Sequence, residues 1–124
     1  MSLPRPTDGE LAILKVLWDR GPSTVKDVHG VLAAGKDTAY TTVLRMCQVM
    51  HEKGLVTRDE AERQHVYAPA LTEEEAQHGL LGDLLEKAFR GSAATLVLRA
   101  LDRTQPEELD AVQALLDSLK KERS

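Results

Sequence analysis

The chain has 124 residues, of which 42% are hydrophobic and 29% charged, a size that suits one compact domain or a small domain with a helical extension. Its single cysteine excludes a disulfide framework and the zinc patterns that need several cysteines. The sequence contains no apolar run long enough to span a membrane and no apolar signal core near its first residues, so we expect a cytoplasmic protein that is not bound to a membrane.

Charge is distributed unevenly along the chain. Residues 1–70 hold nine Lys or Arg and nine Asp or Glu, which cancel, whereas residues 71–124 hold seven against eleven and carry the net charge of −4. A chain with this balance is not a general binder of polyanions. Any binding of nucleic acid must therefore depend on a local cluster of cations.

Two short helices are predicted at the start of the chain. Thr7 and Glu10 have the spacing of a capping box, which predicts the beginning of the first helix. Ser23 or Thr24 can cap the second helix, and Gly35 is expected to end it. Apolar residues recur at intervals of three and four in both segments, so each helix has one face for a core.

A third helix is predicted over about 39–53, with Gly54 as its stop. The pattern then becomes extended: residues 55–58 and 65–68 are β-branched or aromatic-rich runs separated by a charged tip, which predicts a β-hairpin. Three helices followed by a hairpin form the winged-helix arrangement. We therefore predict a mostly α fold with a small β-hairpin, in which residues 1–70 are a winged helix-turn-helix DNA-binding domain.

Residues 71–124 are predicted to form three further helices and to serve as a helical dimerisation domain. Their apolar stripes are broader than short helices can bury against one another, which favours an isologous dimer. Packing of these stripes onto the first helix is the alternative. The predicted dimerisation residues are Leu81, Leu84, Leu85, Leu109, Val112, Leu116 and Leu119.

The third helix is the candidate recognition helix. Thr41 can donate to a phosphate or place its methyl group against thymine, and Arg45 has the fork geometry for guanine or for a phosphate. Thr42 has the core as its alternative position, and an ordinary solvated helix face is the alternative for the whole set. Lys53, Arg58, Arg63 and His65 lie at or beside the wing, where cations could hold the flanking DNA backbone. Arg63 is the main wing candidate, and a charge that protects an exposed edge strand is its alternative. The predicted DNA-binding residues are Thr38, Tyr40, Thr41, Thr42, Arg45, Arg63 and His65.

Other chemistry has little support in the sequence. Cys47 and His51 have a possible metal-ligand spacing, but two ligands do not make a site, and a buried cysteine beside a solvent-facing histidine explains both. No serine lies in a nucleophile elbow, and no phosphate-binding loop is present. We therefore predict neither an enzyme nor a cofactor or metal site.

Several segments resemble the BlaI/MecI (penicillinase repressor) family. They are residues 7–14 with 17–18, then 39–43, 52–56, 65–67, 89–92 and 96–98, so the resemblance runs from about residue 7 to residue 120. It implies a dimeric transcriptional repressor whose winged helix reads a palindromic operator and whose helical C-terminal domain holds the dimer. Thr41 and Thr42 match family positions that approach DNA.

The family's derepression mechanism is cleavage in the C-terminal domain after a membrane sensor metalloprotease detects a β-lactam, which implies such a protease as a partner. This chain departs from that pattern, because Arg99 and Ala100 stand where the β-lactam-responsive members have an Asn-Phe bond. Val49 stands where many members carry an arginine. The cysteine cluster of copper-responsive relatives is missing. The inducing signal is therefore left open.

Two other readings of the fold remain. A winged-helix regulator that responds to a small molecule would need an apolar pocket between the helical tail and the DNA-binding domain. A winged helix used only for contacts with other proteins would suit the neutral first half and the acidic tip of the hairpin.

Overall fold

The computed structural model of the protein describes residues 4–35 and 37–123. Two compact units divide between Leu81 and Gly82. Lys36 lies outside the described residues. None of the described helices is long and apolar enough to cross a membrane. The elements in chain order are α1 (Asp8–Arg20), β1 (Ser23–Thr24), α2 (Val25–Ala33), α3 (Tyr40–Lys53), β2 (Val56–Asp59), β3 (Val66–Pro69), α4 (Glu73–Ala88), α5 (Ala93–Leu101) and α6 (Pro106–Arg123).

The capping box predicted for α1 is confirmed. The hydroxyl of Thr7 accepts from the Glu10 amide at 3.3 Å, and the Thr7 amide donates to the Glu10 carboxylate at 2.9 Å. These two bonds satisfy N–H groups that the helix cannot pair internally. α1 ends where Gly21 takes a φ of 86°, a conformation that suits glycine.

α2 begins in the same way. Thr24, one of the two predicted caps, forms a capping box with Asp27 at 3.2 Å in both directions. The helix ends at Ala33, with Ala34 as its C-cap in a right-handed conformation. A stop at Gly35 was expected, and the helix ends slightly earlier. α3 follows at Tyr40, so α2 and α3 form the helix-turn-helix pair.

The three strands form one antiparallel sheet with the order β1-β3-β2, and the hairpin of β2 and β3 is the wing. β2 and β3 form the predicted hairpin, each strand starting one residue later than expected. β1 is added at the edge, where Ser23 pairs with Tyr67 and Thr24 with Val66. A two-residue strand is too short to give a periodic signal, so the sequence could not reveal it. The predicted winged-helix fold is confirmed.

The core of the winged unit lies between α1, α2, α3 and the sheet. Its largest fully buried side chains are Tyr67, Ile13, Leu14, Leu17, Met50, Leu55, Val28, Val43 and Cys47. The half-buried Trp18 closes one edge, and its indole N–H donates to the Leu71 carbonyl at 3.0 Å. The two partners are 53 residues apart, so this bond joins α1 to the segment that follows the wing.

The second unit contains the end of α4 together with α5 and α6. Neither α5 nor α6 contributes a buried residue among those that the structure describes. Arg90 and Gly91, with φ values of 51° and 78°, separate α4 from α5. The large apolar side chains exposed in this unit are Leu84, Val97, Leu98, Leu109, Leu115, Leu116 and Leu119. A unit with this surface lacks an apolar core of its own.

Candidate nucleic-acid interface

α3 has one buried face and one exposed face. Val43, Cys47 and Met50 point into the core of the winged unit. Thr41, Arg45 and Gln48 recur at intervals of four and three on the opposite side, and all three are exposed. Thr42 is exposed as well, so it does not take its alternative position in the core. Arg45 makes no hydrogen bond or ion pair with the described part of the chain, and its guanidinium is available to a partner.

α3 begins without a capping side chain and without a nearby carboxylate in its first turn. Ala39 is its N-cap and provides no side-chain cap, and the first turn contains no acidic residue. The N–H groups at the start of a helix carry a partial positive charge that favours phosphate. This end of α3 is therefore suited to approach a polyanion.

Thr38 and Tyr40 flank that cap and are held from α2. The carbonyl oxygen of Thr38 lies 2.8 Å from Nε2 of His29. The ring of Tyr40 meets the ring of His29 edge to face, with centroids 5.6 Å apart and planes at 79°. Thr38 is half-buried, whereas Tyr40 keeps 45% of its surface exposed.

An open cavity of about 290 Å³ separates α3 from the wing. Its cationic side chains are Lys26 from α2 and Arg58 and Arg63 from the hairpin, and the imidazole of His65 also lines it. Tyr40 and Gln48 contribute polar groups from α3. The cavity therefore brings Tyr40 and Gln48 of the candidate recognition helix together with positive charges from the hairpin.

Glu60 partly neutralises this cluster. Its carboxylate lies 3.4 Å from the Arg58 guanidinium and 3.7 Å from Nε2 of His65. Nε of Arg58 is buried and has no hydrogen-bond partner among the described residues. Arg63 is exposed at the tip of the hairpin and has no ion pair within residues 4–35 and 37–123. Of the two predicted wing residues, Arg63 is thus the more available.

Lys53 does not behave as the wing cation that the sequence suggested. Its ammonium group donates to both carboxylate oxygens of Glu10, at 2.8 and 3.0 Å, and joins the end of α3 to the start of α1. Burial raises the pKa of Glu10, but the hydrogen bonds from Lys53 and Thr7 outweigh this effect and leave the pKa below its ordinary value. Lys53 therefore stabilises the packing of α3 against α1, and its charge is already paired with Glu10.

The chemistry of Cys47 is that of a core residue. Its side chain is 1% exposed, and burial raises the pKa of the thiol from 9.0 to about 11. The thiol thus stays protonated and unreactive at neutral pH. Among the described residues, no group of three or more His, Cys, Asp or Glu is placed to hold a metal ion.

Comparison with known proteins shows which family the chain belongs to. The family model of the penicillinase repressor matches residues 6–118. The chain belongs to the penicillinase repressor family. The transcriptional regulator BlaI of Mycobacterium tuberculosis is 37% identical over 119 residues, covering 94% of this chain and 86% of that protein. As a member of this family, the chain is a transcriptional regulator and not an enzyme.

Two solved structures resemble the winged unit. The DNA-binding domain of the repressor BlaI has a TM-score of 0.53 and 25% identity, with 60% of this chain and 93% of that chain covered. The monomeric form of Bacillus licheniformis BlaI, solved in complex with the blaP half-operator, has a TM-score of 0.52 and 24% identity, with 60% and 90% covered. The winged-helix fold of this penicillinase repressor family member is thus shared with BlaI.

Sequence reasoning missed part of the basic cluster. Lys26 reaches the cavity because β1 pairs with β3 and brings the start of α2 beside the wing. Arg58 was considered only as a general wing cation, and its place between α3 and Glu60 depends on the hairpin register. Both positions arise from long-range strand pairing, for which the local sequence gives no signal.

Proposed function

We propose that this penicillinase repressor family member is a homodimeric transcriptional repressor that binds a pseudo-palindromic operator. α3 enters the major groove, and the wing lies against the adjacent backbone. The observation that carries this proposal is the exposed face of α3, which begins at an uncapped, acid-free helix terminus and presents Thr41 and Arg45 without competing partners. A recognition helix needs such a face, because base edges are read by side chains free to donate.

Five of the seven predicted DNA-binding residues are assigned to two roles. We assign the exposed residues Thr41, Thr42 and Arg45 to contacts with bases or nearby phosphates. Arg63 and Lys26, which line the same cavity, are proposed to hold a backbone phosphate between α3 and the wing. A phosphate in the cavity would compete with the Glu60 carboxylate for Arg58, and His65, whose Nε2 lies 3.7 Å from that carboxylate, is proposed to donate to the phosphate in its place. The Bacillus licheniformis protein, which shares the winged-helix fold, was solved in complex with a half-operator, and this supports DNA binding by the same fold here.

Tyr40 and Thr38 are given supporting roles at the start of the helix. The Tyr40 hydroxyl can donate to a phosphate from the cavity wall. Thr38 contributes its carbonyl to the contact with His29. Few cations in this region are free, so we expect a moderate dependence of DNA affinity on salt concentration.

The helices after the wing are proposed to form the dimer interface. Leu81, Leu84, Leu109, Leu116 and Leu119 are each more than 40% exposed, although they are large and apolar. Leu85 and Val112 are half-buried beside them. A two-fold axis lets each apolar stripe cover its counterpart in a second copy and places two recognition helices against two half-sites.

Control by a membrane sensor protease stays a prediction from the family resemblance. Arg99 and Ala100 lie inside α5, and Arg99 approaches Asp102 at 3.5 Å. The Ala100 carbonyl accepts from the Thr104 hydroxyl at 2.8 Å. Cleavage between Arg99 and Ala100 would require local opening of this helix before the bond could enter a protease cleft.

Selection of bound duplexes from a random library tests the proposed function. Purified protein is expected to enrich an inverted repeat and to bind it roughly a thousandfold more tightly than a scrambled duplex of the same length. Affinity is then measured at two salt concentrations to count the phosphate contacts. Failure to enrich any sequence, together with binding that does not respond to salt, would favour a winged helix that contacts other proteins.

A further inference from the structure

The start of α3 differs from the starts of the neighbouring helices. Thr7, Thr24, Thr72 and Ser92 cap α1, α2, α4 and α5 through bonds of their hydroxyl groups to amides three residues later. Ala39 has no side chain that can do this. A missing cap weakens the first turn of a helix, because its N–H groups have no internal partners. The first turn of α3, which contains Thr41, therefore lacks a side-chain capping bond.

His29, which is on α2, contacts the residues on both sides of the Ala39 cap. Because a carbonyl oxygen can only accept, the 2.8 Å contact with Thr38 means that Nε2 of His29 carries the proton and donates. The same ring meets Tyr40 edge to face. One half-buried imidazole thus holds the residues on both sides of Ala39.

We propose that His29 is a positioning residue for base recognition: it fixes the backbone before α3 and the Tyr40 ring, and thereby the direction in which Thr41 and Arg45 project. The inference rests on the proposed function. His29 is on α2 and is not assigned a contact with DNA. Small displacements at the first turn of a recognition helix reduce selectivity among bases more than general affinity, since phosphate contacts tolerate movement and bidentate base contacts do not.

Amide exchange in the free protein tests these contacts of His29 without DNA. The amides of Thr42 and Val43 donate to the Ala39 carbonyl at 3.1 and 3.3 Å and report on the first turn. His29→Ala should exchange at these amides roughly 3- to 10-fold faster than the parent, a change typical of one lost hydrogen bond. His29→Gln should restore slow exchange, because its amide nitrogen can donate from a similar distance. His78→Ala, which removes an exposed histidine from α4, serves as the control.

Binding measurements test the consequence for recognition. His29→Ala is expected to lower the ratio of affinities for the selected duplex and the scrambled duplex by about 10-fold, with affinity for the scrambled duplex unchanged. His29→Gln keeps a donor for the Thr38 carbonyl but lacks the ring that meets Tyr40, so its ratio should lie between those of His29→Ala and the parent. A His29→Ala variant with the parent ratio, or with parent exchange rates at Thr42 and Val43, overturns the inference. If the parent itself selects no duplex, the proposed function fails, and exchange alone decides whether His29 holds the start of α3.

Discussion

In the unit that ends at Leu81, side chains from three helices and a sheet close over one another, and fourteen apolar residues among those described are buried. In the unit that begins at Gly82, the described helices α5 and α6 bury none, although leucine is abundant in them. The two units therefore obtain stability in different ways. The first has the apolar core of an independent domain, whereas the second needs apolar surface from elsewhere, as in the proposed dimer.

The largest effect is expected from a charge on the proposed interface. Leu116→Asp places an unpaired carboxylate where a second copy would cover it, at a cost on the order of 3–5 kcal/mol per copy. We expect loss of the dimer in sedimentation equilibrium. Ala114→Asp is the matched control, because Ala114 lies on the opposite side of α6. A Leu116→Asp protein that stays dimeric at micromolar concentration would place the interface elsewhere.

A core substitution in the first unit should behave differently. Leu14 is 0% exposed, and Leu14→Ala removes buried contacts and leaves a cavity, which costs about 2–5 kcal/mol. Urea unfolding followed by circular dichroism measures the loss. The loss should not depend on protein concentration if the winged unit is stable by itself. A strong dependence on concentration would mean that both units rely on the second copy.

The ion pair between Glu10 of α1 and Lys53 of α3 predicts that the stability of the winged unit depends on pH. The folded pKa of Glu10 lies below the ordinary 4.5, so the carboxylate stabilises the winged unit above that value, and this contribution is lost as the pH falls through the lower folded pKa. Glu10→Gln should lower stability by about 1–3 kcal/mol at neutral pH and weaken the acid dependence. Glu62→Gln, at the exposed hairpin tip, should change neither. An unaltered acid profile in Glu10→Gln would contradict this account.

Arg45 should separate DNA binding from stability. Arg45→Ala removes an exposed side chain without a partner in the described chain, so the melting temperature should stay that of the parent. Affinity for the selected duplex should fall by about 1–3 kcal/mol with relaxed preference at one base pair, whereas a phosphate contact would weaken all duplexes alike. Lys15→Ala, on the exposed side of α1, is the control. Parent affinity in Arg45→Ala would exclude this residue from the interface.

The smallest effect is expected in the second unit. Arg99 and Asp102 form an ion pair whose side chains are 63% and 60% exposed, and water screens such pairs strongly. Asp102→Asn should change the free energy of unfolding by no more than about 0.5 kcal/mol in thermal unfolding. A larger loss would show that α5 is covered in the assembled protein at this position.

Local patterns predicted most of the fold. Thr7 with Glu10 marked the start of α1, and Gly54 marked the end of α3, because capping and left-handed glycine depend on neighbours in sequence. Partners far apart in sequence were missed. Lys53, which the sequence predicts as a wing cation, is bound to Glu10, 43 residues away. β1 and the contribution of Lys26 to the cavity depend on pairing with β3. The outward face of α3 was predictable, because helical spacing alone determines it.

The position of the aromatic residues has a spectroscopic consequence. The single Trp18, whose indole is tied to the Leu71 carbonyl, and both tyrosines lie in the first unit, while the second unit contains only Phe89. Intrinsic fluorescence excited near 295 nm therefore follows the winged unit alone, whereas the helical signal at 222 nm includes α5 and α6. Two unfolding curves recorded on one sample will separate if the units melt independently and coincide if they melt together.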